Sequence, residues 1–194
     1  MLNGKVILSL VLACLVLGGC RVDPERQGAY MENYRKFLRE TEPHVIPPPP
    51  PGSEVEKHAI ETFRLFYEVF SEERIRRSIK TLYAPDAYFR DGFREVQGIE
   101  AVTAYFISST DAVSSCTFDI QDVAVQDGNY YFRWIMHLTL KRNKEKPIQA
   151  VGMSHVRFNA QGQITFHQDY WDTGIIYEQA PILGRIITWI RSRI

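Results

Sequence analysis

The chain has 194 residues, with 23 basic and 23 acidic residues and therefore no formal net charge at neutral pH. Such a balance gives no electrostatic footprint for nucleic acid, so the composition argues against a DNA-binding or RNA-binding role. Hydrophobic residues make up 45% of the chain and aromatic residues 12%, which is enough to build one buried core in a domain of average size.

The first nineteen residues have the layout of a cleaved secretory signal peptide. One cation, Lys5, precedes an apolar run from Val6 to Leu17, and two glycines follow the run. The run is about twelve residues long, whereas a helix that spans a bilayer needs about twenty. We therefore expect a signal peptide over residues 1–19 rather than a transmembrane anchor.

The junction Leu17-Gly18-Gly19-Cys20 resembles the lipobox of bacterial lipoproteins, in which the cysteine is acylated and becomes the mature N-terminus. The resemblance implies that Cys20 carries lipid, palmitate included, and anchors the protein to a membrane of the cell envelope. Aspartate after the cysteine is associated in that family with the inner membrane, but Arg21 stands here. In a host with two membranes we expect the periplasmic side of the outer membrane.

Residues 20–52 are interpreted as the lipidated cysteine, a short helix and a stalk. The stalk prediction rests on the unbroken run Pro47 to Pro51, because consecutive prolines favour an extended polyproline II rod. The folded domain is predicted over residues 53–172, and a C-terminal helix over residues 173–194.

Helical periodicity dominates the first half of the domain. A first helix after Ser53 is predicted from apolar residues that fall on one face. These are Ile60, Phe63, Phe66, Tyr67 and Phe70. A second short helix is predicted from Ser71 to Leu82, the opening strand from Ala87 to Phe93, and a further helix after Gly98.

The second half alternates with the period of β-strands. The first of these strands contains Cys116, a core residue by its alternation, and its phase slips at Gln121-Asp122, which predicts a bulge. Three more strands follow, at Tyr130 to Lys141, Ile148 to Phe158 and Gln163 to Trp171. Helices followed by long strands predict an α+β domain. We expect a strongly bent antiparallel sheet, wrapped around the N-terminal helices as a cone with an apolar interior.

Two blocks carry a resemblance to a known superfamily. They are LYAPDAYFRDGFREVQGIEAVTAYF, residues 82–106, and SHVRFNAQGQITFHQDYWD, residues 154–172. They resemble the nuclear transport factor 2-like superfamily, which includes SnoaL-type polyketide cyclases and ketosteroid isomerases. The resemblance implies the cystatin-like α+β barrel of that superfamily. It does not fix the activity, because this fold hosts enzymes, binding proteins and scaffolds.

Carried over to this chain, the resemblance implies roles for three residues. Asp91 falls where ketosteroid isomerases hold the aspartate that moves a proton next to a carbonyl. Tyr67 lies close to the position of the tyrosine that donates a hydrogen bond to the developing oxyanion. Ser154 matches the second donor, which in those isomerases is a protonated aspartic acid. The serine departs from that pattern and argues against ketosteroid isomerisation itself.

The last predicted strand carries His167, Asp169 and Trp171 on one face. The resemblance implies that this face looks into the cone, where polyketide cyclases of the superfamily keep acid and base residues on late strands. His167 and Asp169 are therefore candidate acid/base partners of Asp91. The alternative is that they form a structural hydrogen-bonded pair and that Asp172 caps the following segment.

The remaining polar candidates have structural interpretations. His155 lies on the strand face opposite to Ser154, which predicts an exterior or interface residue. Asp86 follows Ala84-Pro85 and is predicted to be a turn residue. The five histidines lack the close spacing of a metal site, so neither a metal nor another cofactor is expected.

The C-terminal sequence APILGRIITWIRSRI predicts an amphipathic helix with arginines and one tryptophan. Such a helix can lie in a membrane interface. It can equally dock on its own domain or on a partner subunit, and the sequence does not decide between these.

Three hypotheses for the function follow. In the first, the domain binds a small apolar molecule in its cone, with Tyr67, Phe106, Trp134 and Trp171 lining the pocket. In the second, it is an isomerase or cyclase in which Asp91 is the base, His167 and Asp169 assist, and Tyr67 and Ser154 donate. In the third, it is a non-catalytic envelope scaffold that forms a homodimer through its sheet.

Overall fold

The computed structural model describes residues 24–180 and 182–193, so the predicted signal peptide and Cys20 lie outside the described residues. The chain divides into two compact units, Met1–Arg39 and Glu40–Ile194. The described part of the first unit is helical and belongs to helix α1 (Pro24–Glu40). Within the described residues, no helix combines the length and the apolar character needed to cross a bilayer.

The second unit contains the helices and strands of the domain. The helices are α2 (Glu54–Glu68), α3 (Glu72–Leu82), α4 (Ile99–Thr110), α5 (Gly174–Tyr177) and α6 (Leu183–Arg191). Helix α2 begins where a reciprocal cap forms. The Ser53 hydroxyl accepts from the backbone N–H of Glu56 at 3.2 Å, and the Glu56 carboxylate accepts from the backbone N–H of Gly52 at 2.5 Å. The helices predicted after Ser53, from Ser71 and after Gly98 are confirmed.

A strongly curved six-stranded sheet packs against these helices, which confirms the predicted α+β fold. Its strands are β1 (Tyr83–Arg90), β2 (Glu95–Gln97), β3 (Val113–Gln126), β4 (Asn129–Leu140), β5 (Asn143–Phe158) and β6 (Ile164–Trp171). They lie side by side in the order β2-β1-β6-β5-β4-β3. The pairing of β3 with β4 shifts register between Ile120 and Asp122, which confirms the predicted bulge.

The sheet is mixed rather than wholly antiparallel, so the prediction is wrong for one pair of strands. Strand β1 runs parallel to β6, with Phe89 opposite His167, while β2 pairs with β1 in the antiparallel sense. Asp86 was predicted in a turn but lies exposed within β1. The pairing of β1 with β6 is interrupted between Tyr83 and Tyr88. Pro85 lies in this stretch and has no backbone N–H for the ladder.

The concave face of the sheet carries the core. In β4, the alternate residues Phe132, Trp134, Met136, Leu138 and Leu140 are buried, as the alternation predicts. Helix α2 covers one end of this row, where the rings of Phe63 and Phe132 stack with centroids 4.0 Å apart. At the other end of the row the side chains border a cavity.

The proline segment, predicted to be an extended stalk, lies against the domain. A Cβ atom added to Gly128 would lie 2.8 Å from Pro48 and 3.1 Å from Pro43, so these rings pack directly on the β3–β4 turn. Pro49 is buried, and the Arg157 guanidinium donates to the Thr41 hydroxyl at 3.2 Å. The glycine leaves a surface without a side chain, on which rigid proline rings pack at little cost in conformational entropy.

Candidate functional site

A cavity of about 250 Å³ opens between the concave face of the sheet and helices α2, α4 and α5. Its walls are mainly aromatic and aliphatic. They include Phe70, Phe89, Phe93, Phe106, Phe118, Trp134, Met136, Leu138, Leu140, Trp171 and Ile176. Few polar groups reach it, and the two carboxylates among them belong to Asp91 and Asp169. An apolar cavity with a few convergent polar groups is the usual form of a small-molecule site.

Most of the predicted site residues meet at this cavity. The residues that line it are Tyr67, Asp91, Phe106, Trp134, Asp169 and Trp171. His167 and Ser154 do not line it but lie directly behind Asp169, to which both are hydrogen-bonded. Cys20, the predicted lipidation site, lies outside the described residues.

Asp91 has hydrogen-bond donors on both carboxylate oxygens. Oδ1 accepts from the backbone N–H groups of Phe93 at 2.7 Å and Arg94 at 2.8 Å, which closes the turn after β1. Oδ2 accepts from the Tyr105 hydroxyl at 2.5 Å. Burial raises the pKa of Asp91, and so does the charge of Asp169, although the three hydrogen bonds oppose this shift. Asp91 is therefore a turn residue as well as a cavity residue.

Asp169 has a different environment. Its Oδ1 accepts from the Ser154 hydroxyl at 2.5 Å and lies 2.8 Å from Nε2 of His167. Within residues 24–180 and 182–193, no hydrogen bond to its Oδ2 is found. The side chain remains 16% exposed, whereas that of His167 is 0% exposed. Asp169 thus lines the cavity and has one carboxylate oxygen held by two groups of the domain.

Behind Asp169, a chain of buried hydrogen bonds continues through His167 to two tyrosines. Nδ1 of His167 lies 2.6 Å from the Tyr83 hydroxyl, which in turn lies 2.7 Å from the Tyr67 hydroxyl. Burial raises the pKa of both tyrosines well above the usual value for a phenol, so both hydroxyls keep their protons at neutral pH.

One arrangement of protons gives every donor in this chain of hydrogen bonds an acceptor. Nε2–H of His167 donates to Asp169, and Nδ1 accepts from Tyr83, which accepts from Tyr67. We assign this tautomer from the network. An imidazole held between a carboxylate and a phenol fixes the orientation of the Asp169 carboxylate.

Ser154 has another role than predicted, and Trp134, which lines the cavity as predicted, is one of its partners. The Ser154 hydroxyl, expected to donate into the cone, donates to Asp169 and accepts from the Trp134 indole N–H at 2.9 Å. Its proton is therefore not offered to the cavity. The Trp134 ring fits because β5 has glycine opposite it, since a Cβ atom on Gly152 would lie 2.2 Å from the ring.

His155, predicted to be an exterior or interface residue, is on the face opposite to Ser154 but is buried. Its ring stacks on Tyr131 and its Nε2 lies 2.8 Å from the side-chain oxygen of Asn129. Burial, together with the charge of Arg157, lowers the pKa of His155 to about 4. Neighbouring aromatic residues on the convex face, Tyr131 and Phe166, cover this histidine.

Three residues that the sequence does not indicate as site residues belong to the site. Tyr83 completes the buried network and Tyr105 holds Asp91. Cys116, correctly predicted in the core, also lines the cavity. Burial raises the pKa of its thiol to about 12, so it is not a nucleophile at neutral pH.

Asp172 is the residue for which the sequence offers a cap of the following segment as one interpretation. Its carboxylate accepts at 2.9 Å from the backbone N–H of Gly174, the first residue of α5.

Among the described residues, no group of three His, Cys, Asp or Glu side chains is placed to hold a metal ion.

Comparison with solved structures identifies the fold. A protein of ketosteroid isomerase-like fold from Catenulispora acidiphila, in complex with trimethylamine, is 14% identical with a TM-score of 0.54, covering 62% of this chain and 90% of that one. An LEH-like epoxide hydrolase from M. tuberculosis is 15% identical with a TM-score of 0.53, covering 66% and 90%. An NTF2-like protein of unknown function from Burkholderia pseudomallei is 16% identical with a TM-score of 0.52, covering 61% and 93%.

No curated protein matches the chain. The family model of the SnoaL-like domain matches residues 63–167, which is more than half of the chain. This range contains the cavity residues from Tyr67 to Leu140 as well as His167. The chain therefore belongs to the SnoaL-like domain family.

Proposed function

We propose that the domain binds a small, mainly apolar molecule in the cavity. The observation that carries this proposal is the cavity itself, with a volume of about 250 Å³ and aromatic and aliphatic walls. Drug-sized ligands usually occupy pockets of about 300–1,000 Å³, so the molecule is smaller than these. It carries a polar group that can face Asp169 and Tyr67, because these polar side chains reach the cavity.

A substitution that places a large side chain at the edge of the cavity tests this proposal. Ala112 lines the cavity and is exposed, whereas Ser114, two residues further along, is exposed and does not line it. Ala112→Trp is expected to reduce ligand occupancy at least about tenfold by steric exclusion, and Ser114→Trp is expected to leave it unchanged. The measurement is mass spectrometry of small molecules released from the natively purified protein. Equal release from both variants would show that the molecules bind elsewhere.

A second candidate function, proton transfer on the bound molecule, is favoured by the free Oδ2 of Asp169. General bases act within hydrogen-bond reach of the proton that they remove. Asp169 meets this requirement for a molecule in the cavity, and its other oxygen is held by Ser154 and His167. Asp91 has the base position implied by the resemblance, but donors occupy both of its oxygens.

In this candidate mechanism, Asp169 Oδ2 takes a proton from a carbon next to a carbonyl of the bound molecule. The electron pair of the broken C–H bond moves onto the carbonyl oxygen, and the Tyr67 hydroxyl turns from Tyr83 to donate to that oxygen. Return of the proton to a different carbon of a conjugated molecule gives an isomer. Attack of the enolate carbon on a second carbonyl closes a ring, and the proton held by Asp169 passes to the alkoxide that this attack forms. His167 and Ser154 act as positioning residues, because they touch Asp169 rather than the ligand.

We further propose that the protein is a lipoprotein of the cell envelope, anchored through Cys20. The sequence Leu17-Gly18-Gly19-Cys20 after a short apolar run supports this. Cys20→Ser is expected to abolish incorporation of radiolabelled palmitate, and Cys116→Ser is the matched control. Equal palmitate incorporation by both variants would contradict the proposal.

A further inference from the structure

The C-terminal helix α6 presents an apolar stripe to solvent. Ile182 is 80% exposed, Ile186 51% and Trp189 46%, which is far more than the apolar residues in the core of the domain. Leu183 and Ile190 extend the stripe along the same helix, with exposures of 43% and 42%. The stripe is therefore not the surface by which α6 packs on its own domain.

The helix is nevertheless fixed to the domain by other contacts. Arg191 forms ion pairs with Asp172 and with Glu178, the latter at 3.1 Å between Nη1 and Oε1. Gly184 is buried against the backbone of Glu178, so close that a Cβ atom would clash with the carbonyl oxygen of that residue. These contacts anchor α6 on its polar side and leave the apolar stripe outward.

A basic hairpin lies beside the helix. The β4–β5 turn has the sequence Lys141-Arg142, and the start of β5 adds Lys144 and Lys146, all of them exposed. The Arg142 guanidinium donates to the carbonyl of Gln179 at 3.2 Å, which joins the hairpin to the segment before α6. A groove between the two is lined by Lys146, Arg185 and Trp189, among others.

The surface formed by helix α6 and the β4–β5 hairpin carries mostly positive charges. After Glu178 the chain contains Arg185, Arg191 and Arg193 and no acidic residue. Arg193 lies over the Trp189 ring, 4.6 Å from its centroid. Acidic residues at this surface include Glu145 on the hairpin, Asp111, whose carbonyl accepts from the Lys141 ammonium at 2.8 Å, and Asp172 and Glu178, which pair with Arg191. An exposed apolar stripe flanked by cations and containing tryptophan is complementary to the interface of an anionic bilayer.

We propose that helix α6 and the β4–β5 hairpin form a docking surface for an anionic lipid bilayer. The apolar stripe enters the interface, and Lys146 and Arg185 contact lipid phosphates. This surface is independent of the cavity ligand and of Cys20. It also adjoins the cavity, because Leu140 lines the cavity and directly precedes the hairpin turn.

Hydrogen–deuterium exchange of the full chain on vesicles tests the proposal, because it measures protection of the α6 amides themselves. The result therefore does not depend on how the N-terminus is anchored. Two vesicle types are used, phosphatidylcholine alone and an equal mixture with phosphatidylglycerol. Amides of Leu183–Arg191 are expected to exchange about tenfold more slowly on the mixed vesicles than in solution. The variant with Lys146→Glu and Arg185→Glu is expected to lose the effect of phosphatidylglycerol.

Two further variants separate docking from loss of structure. Ile186→Ser with Trp189→Ser is expected to remove the protection on vesicles. Val151→Ser, a change at a 73% exposed residue of β5, is expected to keep it. Unchanged protection of the β4 and β5 amides shows that each variant is folded. The proposal is overturned if α6 exchanges equally fast with and without vesicles, or if its protection rises with protein concentration and not with lipid.

Discussion

Replacing Asp169 with asparagine is expected to reduce proton abstraction in the cavity by about a hundredfold or more, whereas Asp91→Asn is expected to retain most of it. The two residues are matched, because both are aspartates that line the same cavity. They differ in whether one carboxylate oxygen remains without a hydrogen-bond donor. Asp169 has Oδ2 available, while Asp91 uses both oxygens to hold the turn after β1 and Tyr105.

A generic probe makes this expectation measurable before the natural ligand is known. In 5-nitrobenzisoxazole, a base removes the single acidic C–H proton, the electron pair forms a nitrile, and the N–O bond breaks to give a coloured phenolate. The reaction reports a carboxylate base in an apolar pocket and needs no cofactor. Its initial rate is measured for the natural chain, Asp169→Asn, Asp91→Asn and the cavity block Ala112→Trp.

The four rates distinguish the hypotheses. Loss of activity in Asp169→Asn and Ala112→Trp, but not in Asp91→Asn, supports Asp169 as the base. Loss in Asp91→Asn alone would restore the role that the superfamily resemblance implies for Asp91. In that case activity should fall as the pH drops through the raised pKa of Asp91, because only the ionised carboxylate accepts a proton. Equal rates in all variants would mean that the reaction does not occur in the cavity.

Replacing His167 with leucine is expected to lower the free energy of unfolding by about 3 kcal/mol or more. His167 is completely buried and bridges the Tyr83 hydroxyl and the Asp169 carboxylate. Leucine cannot accept from Tyr83 or donate to Asp169. A buried polar group without a partner costs about 1–3 kcal/mol, and this substitution affects groups on both sides of the ring.

His137→Leu is the matched control. His137 lies on the exposed face of β4 and contacts the Gln149 side chain, and surface substitutions usually change stability by less than about 0.5 kcal/mol. Urea denaturation followed by circular dichroism gives both values. Similar midpoints for the two variants would show that the network behind Asp169 contributes little to the stability of the fold.

Periodicity predicted the individual elements of this fold well. The buried row in β4 and the bulge in β3 depend on local alternation, which the sequence shows directly. The parallel pairing of β1 with β6 joins distant parts of the chain, and no local pattern specifies it. The contact of the proline segment with Gly128 was missed for the same reason, because composition indicates stiffness and not what the segment touches.

For the candidate site too, local alternation was predictive, whereas contacts between distant parts of the chain could not be predicted. Alternation in β6 was enough to place Asp169 and Trp171 on one face with His167. It could not show that Tyr83, 84 residues before His167, would reach the imidazole, because that contact depends on the position of β1 beside β6. Nor could it show that the Ser154 hydroxyl donates to Asp169. Because of this hydrogen bond, Ser154 positions Asp169 instead of contacting a ligand.

Binding of a small apolar molecule against Asp169 can be observed in a crystal structure with 6-nitroindazole. This neutral ring system presents an N–H group where nitrobenzisoxazole presents its acidic C–H group. We expect the ring between Phe106 and Trp134, with its N–H group within hydrogen-bond distance of Asp169 Oδ2. An empty cavity, or an N–H group directed at Asp91, would contradict binding against Asp169.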